Sequence, residues 1–333
     1  MKRGFVFGAF VIVDALSAVV GAALQGTGGG GAQGSVPPAP SASAIHAEKI
    51  RDNLYILRGG GKIYRVGDVD LPQAGTAVAF ITSRGVVLVD TKLPGWGQPI
   101  IDKLKELTDK PVTTIINTHS HMDHVGGNVE FPATVEVVSQ ENAATLMKEM
   151  RPVSGGPVQP NIFKEHDGRG LPARTFKDRM TLGTGDERID LYYFGRAHTS
   201  GDAWVVFPSL RVLHSGDAFA GKSVPPLDVN NGASGVEYPE TIARAVATLK
   251  DIDTVITGHY QTTLTMADLK TYGEFTREFV QAVQAAKRAG RTVDDFVAAW
   301  KLPERFVKEG YVDFSKLRSI RPDVEVIWNE TKD

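Results

Sequence analysis

Three of the chain's eight histidines lie within six consecutive positions, residues 119–124, in the order His-Ser-His-Met-Asp-His. The segment follows residues 112–117, an apolar and largely β-branched run that predicts a buried strand. It precedes Gly126 and Gly127, which allow the backbone to turn tightly. Imidazole nitrogen and carboxylate oxygen are common zinc ligands. The segment therefore predicts a metal site where a strand runs out into a loop; a histidine-rich surface turn is the alternative.

The composition limits the chemistry that such a site can use. The 333 residues are 42% hydrophobic and 23% charged, as in soluble globular proteins with a sizeable core. There is no cysteine, which excludes disulfides, a thiolate zinc site and a cysteine nucleophile. The net charge of -2 argues against nucleic acid as a partner, because phosphate binding needs a basic surface. Any metal must therefore be held by nitrogen and oxygen, and the expected partner is a small-molecule substrate.

The N-terminus has the pattern of an export signal. Lys2 and Arg3 precede an apolar run over residues 4–24, in which Asp14 is the only charged residue. This pattern predicts a cleaved signal peptide, residues 1–24, and a periplasmic or secreted protein without a stable membrane span after cleavage. A retained membrane anchor is the alternative, but an aspartate at mid-bilayer depth is costly.

The remaining chain divides into a linker, a domain and an extension. The sequence after the signal is rich in Gly, Ala, Pro and Ser, which predicts a flexible linker over residues 25–48. Residues 49–290 are expected to form one domain. Residues 291–333 are expected to be a C-terminal extension packed on it, with a short amphipathic piece at 293–300.

Strand and helix patterns alternate along the predicted domain. Apolar, β-branched runs predict strands at residues 53–58, 76–81, 85–90, 112–117, 135–138, 188–194, 203–207, 211–214 and 254–257. Apolar positions at helical spacing predict helices at 96–110, 141–150, 238–249 and 266–289. The Gly- and Pro-rich stretch 152–172 predicts a long surface loop. The fold class is α/β, with much antiparallel pairing and with helices covering the sheets.

Three further ligand-type residues follow predicted strands. His198, Asp217 and His259 each lie beside or near a glycine, just beyond an apolar run. Taken singly, each of these residues is compatible with an ordinary polar position in a loop. Because strands of a sheet deliver their ends to a common edge, we expect these three side chains to converge with the 119–124 cluster.

Together these residues resemble the metallo-β-lactamase-fold superfamily. Residues 119–124 match its H-x-H-x-D-H signature, and His198, Asp217 and His259 match its later ligands in the expected order. The resemblance covers residues 53–266. It implies an αββα sandwich, in which two mixed sheets are flanked by helices and the metal site lies on one edge of the sheets.

By this resemblance, seven side chains hold two zinc ions: His119, His121 and His198 for the first, Asp123, His124 and His259 for the second, and Asp217 as the bridge. A shared water that loses its proton near neutral pH becomes the nucleophile, and Asp123 is the catalytic group that steers the water or accepts its proton. Asp90 matches the first-motif aspartate and is expected to hydrogen-bond a ligand histidine; a turn carboxylate is the alternative.

Other polar residues near the motifs receive simpler interpretations. His214, three residues before Asp217, is expected to be packed or to support the site. Lys222 is expected to be a solvated surface lysine, with an anchor for a substrate carboxylate as the alternative. His46 falls in the predicted linker and His166 in the long loop, and no role is predicted for them.

The ligand set separates branches of the superfamily. The flavodiiron branch typically has glutamate at the position of His121, and class B1 and B2 β-lactamases have cysteine at the position of Asp217. B3 β-lactamases usually lack a carboxylate there, whereas an aspartate resembles the glyoxalase II, lactonase and phosphodiesterase branches. Nuclease members carry an extra domain or a basic substrate surface, and this sequence shows neither.

These differences predict an exported, zinc-dependent binuclear hydrolase that attacks an ester, thioester, lactone or β-lactam with a metal-bridging hydroxide. Three alternatives remain. They are a β-lactamase proper, a mononuclear iron dioxygenase of the same fold, and an inactive, metal-stabilised binding protein.

Overall fold

The computed structural model of the protein describes residues 39–66, 69–313 and 319–332. The predicted signal peptide, residues 1–24, and most of the predicted linker lie outside these residues. Within them, no helix is both long enough and apolar enough to cross a membrane.

The described residues form strands and helices in alternating groups. The strands are β1 (His46–Arg51), β2 (Leu54–Arg58), β3 (Ile63–Val66), β4 (Val69–Pro72), β5 (Ala77–Thr82), β6 (Gly85–Val89), β7 (Val112–Ile116), β8 (Glu136–Gln140), β9 (Arg174–Phe176), β10 (Arg179–Leu182), β11 (Ile189–Tyr192), β12 (Trp204–Phe207), β13 (Val212–His214) and β14 (Thr254–Ile256). The helices are α1 (Gly97–Lys105), α2 (Met122–Val125), α3 (Glu141–Glu149), α4 (Ile162–Glu165), α5 (Tyr238–Thr248), α6 (Met266–Arg288), α7 (Val293–Ala299), α8 (Glu304–Lys308) and α9 (Arg321–Glu330).

Two mixed sheets carry the fold. In the described part of the chain the first sheet has the order β1-β2-β5-β6-β7-β8-β9, and the second has the order β10-β11-β12-β13-β14. Strands β6 to β9 pair in parallel, as do β13 and β14, while the remaining pairs within these two sheets are antiparallel. The carboxyl ends of parallel strands share one edge of a sheet. The loops after β6, β7, β13 and β14 therefore start from common edges.

The two sheets face each other across an apolar core. Leu54, Val78 and Phe80 of the first sheet pack with Val205 and Phe207 of the second, and all five are fully buried or nearly so. The rings of Phe80 and Phe207 meet edge to face, with centroids 5.2 Å apart. Each fully buried side chain of this kind contributes about 1.5–3 kcal/mol, so this inter-sheet layer stabilises the two sheets that carry the strand ends.

Helices cover both outer faces. Ile100 and Leu104 of α1 belong to the core cluster on the first sheet. Tyr272 and Phe279 of α6 belong to the cluster on the second sheet, together with residues of α5. A capping box at Thr265 starts α6. The layers are those of the predicted αββα sandwich, and the fold-class prediction is confirmed.

The structure corrects several predicted boundaries. The linker predicted over residues 25–48 ends earlier, because Ile45 is buried and β1 begins at His46. Strands β3, β4, β9 and β10 were not predicted, since they have only three or four residues and no clear apolar alternation. The long loop predicted at 152–172 contains the short helix α4.

The C-terminal extension contributes to the core of the second sheet. Phe296 of α7, Phe306 of α8 and Ile327 of α9 are buried in the same cluster as Phe275 and Phe279 of α6. The end of the chain is thus packed against the layer that carries β13 and β14.

Candidate metal centre

The seven candidate ligands lie where strands end. His119 and His121 follow β7, and His121 caps α2, the short helix that carries Asp123 and His124. His198 lies in the connection between β11 and β12. The remaining two, Asp217 and His259, follow the parallel strands β13 and β14. The two sheets together therefore deliver all seven residues to one edge of the sandwich.

The first set of residues, called group one here, consists of His119, His121 and His198. All three are buried, and one nitrogen of each lies within 4.8 Å of one nitrogen of the others. His198 Nε2 is 3.0 Å from His121 Nδ1. Three imidazoles that face one another at this distance are a donor set suited to zinc.

The second set, called group two, consists of Asp123, His124 and His259. Its ligand atoms also lie within 4.8 Å of one another. Asp123 Oδ2 is 3.2 Å from His259 Nε2 and 3.6 Å from His124 Nε2. The side chains of Asp123 and His259 are 24% and 20% exposed, so group two opens toward solvent.

Asp217 lies between the two groups. Its Oδ2 is 3.7 Å from His198 Nε2 and 3.2 Å from His259 Nε2, and its Oδ1 is 3.4 Å from His124 Nε2. Its Oδ1 and His119 Nε2 are both buried without a hydrogen-bond partner among the described residues. Buried polar atoms normally have a partner. The donor set and these two atoms fit bound metal.

The two groups differ in charge. Burial lowers the pKa of His119 well below its usual range, and burial and the nearby His121 ring lower the pKa of His198 to about 4. In group two, burial alone would lower the pKa values of both histidines, but Asp217 and other carboxylates outweigh it. They raise the pKa of His124 to about 8 and that of His259 well above its usual range. Without metal, His119 and His198 of group one are neutral at pH 7, whereas His124 and His259 of group two are protonated.

The pKa values of the two aspartates are lowered. Burial alone would raise their pKa values, but His124 and His259 lower the pKa of Asp123 to about 2. The same two rings hold the pKa of Asp217 well below its usual range. Both aspartates are therefore ionised at neutral pH and available as ligands.

Asp90 makes the hydrogen bond that the superfamily resemblance implies. It directly follows β6 in a left-handed conformation (φ 59°) that aspartate tolerates. Its Oδ2 is 2.7 Å from His124 Nδ1, and it accepts hydrogen bonds from the amide and hydroxyl of Thr118. The other nitrogen of His124 is thereby directed toward the remaining members of group two.

Three further contacts orient the rings of His198, His259 and His121. His198 Nδ1 donates to the carbonyl of Pro226, at 2.8 Å, and His259 Nδ1 donates to that of Pro72, at 3.0 Å. His121 Nε2 is 2.7 Å from Asp228 Oδ2. Asp228 was not among the predicted site residues; its only signal in the sequence is the pattern Asp-Val-Asn-Asn-Gly, which is typical of a turn.

Two glycines allow the backbone to approach the ligands. A Cβ at Gly258 would lie 1.6 Å from Asp217 Oδ1, and a Cβ at Gly75 would lie 2.3 Å from the ring of His124. Neither space admits a side chain, so both glycines are needed for the packing of the centre.

The remaining polar residues agree only in part with the sequence predictions. His214 is buried; its Nδ1 accepts from the amide of Gly216, at 3.0 Å, so it packs behind the turn to Asp217. The prediction that Lys222 is a solvated surface lysine is wrong, because the side chain is largely buried and paired. Its ammonium group is 2.7 Å from Asp268 Oδ1 and donates to the carbonyl of Glu309.

Comparison with known proteins decides the family. The sequence profile of the metallo-beta-lactamase superfamily matches residues 71–259, more than half of the chain. The chain belongs to the metallo-β-lactamase superfamily. With its clusters of histidine and aspartate, it is a metal-dependent hydrolase that acts on small molecules.

Two curated superfamily members illustrate the relationship. Metallo-beta-lactamase IND-1 of Chryseobacterium indologenes is 26% identical over 218 residues, which are 63% of this chain and 80% of the relative. Metallo-beta-lactamase type 2 of Elizabethkingia meningoseptica is 25% identical over 222 residues, 65% of this chain and 78% of the relative.

Solved structures of the superfamily share the fold. The metallo-beta-lactamase from Pontibacter korlensis has a TM-score of 0.56 and 20% identity, and the match covers 70% of this chain and 99% of that one. The DIM-1 metallo-beta-lactamase has a TM-score of 0.52 and 17% identity over 73% of this chain and 99% of its own.

Proposed function

We propose that this protein is an exported di-zinc hydrolase that opens β-lactam rings. Lactones, esters and thioesters are the neighbouring substrate classes. The relatives named metallo-β-lactamases match over about four fifths of their own length, which supports a β-lactam substrate. The aspartate at position 217, in place of the cysteine of class B1 and B2 enzymes, is the feature that keeps the other carbonyl substrates in consideration.

The position of Asp217 carries the proposal of two ions. Its two oxygens are within 3.2–3.7 Å of His124, His198 and His259, which belong to different groups. A single ion in group one would leave the carboxylates and charged rings of group two without a role. For the same reason a mononuclear iron dioxygenase, which needs two histidines and one carboxylate, accounts for only part of the cluster.

The chemistry divides between the ions and the protein. Two divalent ions supply a water of lowered pKa and a Lewis acid for the substrate carbonyl. Asp123, ionised and partly exposed, accepts a hydrogen bond from the attacking water and orients it. Because its pKa is near 2, orientation fits this carboxylate better than proton storage. Group one is buried, so the substrate approaches from the side of Asp123 and His259.

Export rests on the N-terminal sequence. The apolar run at residues 4–24 behind two basic residues has the composition of a signal peptide. An exported enzyme meets β-lactams before they reach the cytoplasm, and it does not meet intracellular thioesters. N-terminal sequencing of the mature protein from a secretion-competent host tests this part, since a chain that begins at Met1 would contradict it.

The hydrolytic function is tested by metal analysis together with a substrate panel. We expect two zinc ions per chain, and hydrolysis of nitrocefin in preference to a lactone, a p-nitrophenyl ester and a thioester. One iron per chain, or two zinc ions with no hydrolysis of any panel member, would overturn the proposal. Preference for a lactone or ester would overturn the β-lactam assignment alone.

Substitution of the bridging carboxylate completes the test. Asp217→Ala should abolish turnover while circular dichroism shows an intact fold. Asp52→Ala is the matched control, because Asp52 is fully exposed and far from the ligands in sequence. Full activity of Asp217→Ala would show that the bridging assignment is wrong.

A further inference from the structure

The segment 223–236, called the support loop here, connects β13 and its following turn to α5. It contacts group one at two points. The carbonyl of Pro226 accepts from His198 Nδ1, and Asp228 Oδ2 lies 2.7 Å from His121 Nε2. The amide of Asp228 also donates to the carbonyl of His198, at 3.1 Å. Two of the three histidines of group one are therefore oriented by this loop.

The support loop has little regular structure of its own. Apart from a single 3-10 turn at Val229–Asn231, it forms no helix or strand. Pro225 and Pro226 lack amide donors, so neither can add a backbone hydrogen bond from its nitrogen. Besides the hydrogen bonds around Asp228, groups elsewhere in the chain therefore contribute to the position of the loop.

The C-terminal helix α9 supplies such groups. Asp323, which is fully buried, accepts a hydrogen bond from the amide of Leu227, at 2.9 Å. Glu330 Oε2 accepts from the amide of Val236, at 3.0 Å. Ile327 fills the space beside Gly235, where a Cβ would lie 2.3 Å from its Cγ1. Helix α9 thus holds the loop near its middle and at its end.

The first of these contacts is the most direct. Leu227 is the residue between Pro226 and Asp228, the two residues that touch His198 and His121. Without the carboxylate of Asp323, the buried amide of Leu227 loses its acceptor, and a buried N–H must find another partner or move. Such a movement acts on the backbone of both neighbours, although Ser154 also donates two hydrogen bonds to the carboxylate of Asp228.

Group two has no corresponding dependence. His124 is oriented by Asp90 and His259 by the carbonyl of Pro72, and neither support is hydrogen-bonded to α9 in the described structure. An effect transmitted through the support loop is therefore expected at one metal site and not at the other.

We propose that Asp323 is a positioning residue for the metal site of group one, so that the C-terminal extension is part of the metal centre. The proposal rests on the di-metal function proposed above. It concerns a helix that begins more than sixty residues beyond the end of the superfamily match at residue 259.

The test compares metal affinities of Asp323→Ala, Asp323→Asn and the wild-type enzyme. Chelator competition gives the affinity for each of the two ions. The absorption of bound cobalt(II) assigns each affinity to a group, with His119→Ala and His259→Ala as references. Asp323→Ala should weaken binding at group one by about tenfold to a hundredfold and leave group two unchanged. Asp323→Asn, which keeps an acceptor oxygen, should restore most of the affinity.

The matched control is Glu325→Ala, an exposed position on the same helix. Equal weakening at both groups, or no change at either, would overturn the proposal. If Asp323→Ala does not fold, Glu330→Ala replaces it and should show the same selectivity with a smaller effect. Wild-type protein that binds no metal would refute the proposed function itself, whereas two tightly bound ions in every variant would refute only the role of Asp323.

Discussion

Group one and group two use the same kinds of ligand but are built differently. Group one is buried, His119 and His198 in it are neutral at pH 7, and the loop before α5 supports two of its three histidines. Group two is partly exposed and contains carboxylates, and its histidines are protonated in the absence of metal. Burial therefore dominates the pKa values of His119 and His198, whereas nearby carboxylates outweigh burial at His124 and His259.

The largest effect is expected where the two groups meet. Gly258→Ala would place a methyl group on the Oδ1 atom of Asp217, so the bridging carboxylate must move. Because small displacements of reacting groups are costly, activity should fall by at least about a hundredfold. Steady-state hydrolysis and zinc content measure the loss. Thr262→Ala, at an exposed position in the same loop, is the control. Activity within tenfold of wild type would show that the groups do not share Asp217.

Asp90→Ala is expected to have a smaller effect, and to weaken metal binding more at group two than at group one. Asp90 bonds directly to His124 in group two, but reaches group one only through Thr118, whose hydroxyl lies 3.0 Å from His119 Nδ1. Affinity at group two should fall by roughly tenfold to a hundredfold, and affinity at group one should fall less. Chelator competition with cobalt(II) measures both values. Equal losses would mean that the two groups are coupled more tightly than their contacts indicate.

The pH dependence of metal binding should also separate the groups. The pKa of His124 is raised to about 8, so below that pH a metal ion must displace a proton there. Affinity at group two should therefore fall by about tenfold per pH unit for each proton displaced. In group one, His119 and His198, whose pKa values are lowered well below the usual range and to about 4, respectively, should add no pH dependence from pH 8 to pH 5. Calorimetry in buffers of different ionisation enthalpy counts the protons that are released when metal binds. If no proton is released at pH 7, the predicted protonation of group two is wrong.

Lys92→Met should have the smallest effect on metal binding and should instead change the pH dependence of folding stability. Lys92 is fully buried and donates to the carbonyl of Gly75, the glycine beside His124. Burial lowers its pKa from 10.5 to about 7. Between pH 10.5 and about pH 7 the unfolded chain binds a proton at Lys92 and the folded chain does not. The folded state therefore loses stability as the pH falls through this range. The wild type should thus gain stability relative to the variant between pH 7 and pH 9.5. Urea unfolding of both proteins measures this, and a constant difference would refute it.

The ligand-type residues were visible in the sequence because each is a histidine or aspartate beyond an apolar run. The fold and family predicted from them are confirmed. The supports of the ligands were not visible, since Pro72 and Pro226 contribute backbone carbonyls that any residue could supply. Asp228 was missed because an aspartate before an Asn-Asn-Gly turn has a sufficient local explanation.

The sequence alone determined the family, the fold class and the order of candidate ligands along the chain, because residue type and strand periodicity are local properties. Only the tertiary structure decided which histidines are neutral, that Lys222 is paired with Asp268, and that α9 reaches the support loop. These depend on distances between residues far apart in the chain, and electrostatic and hydrogen-bond energies follow those distances rather than sequence spacing.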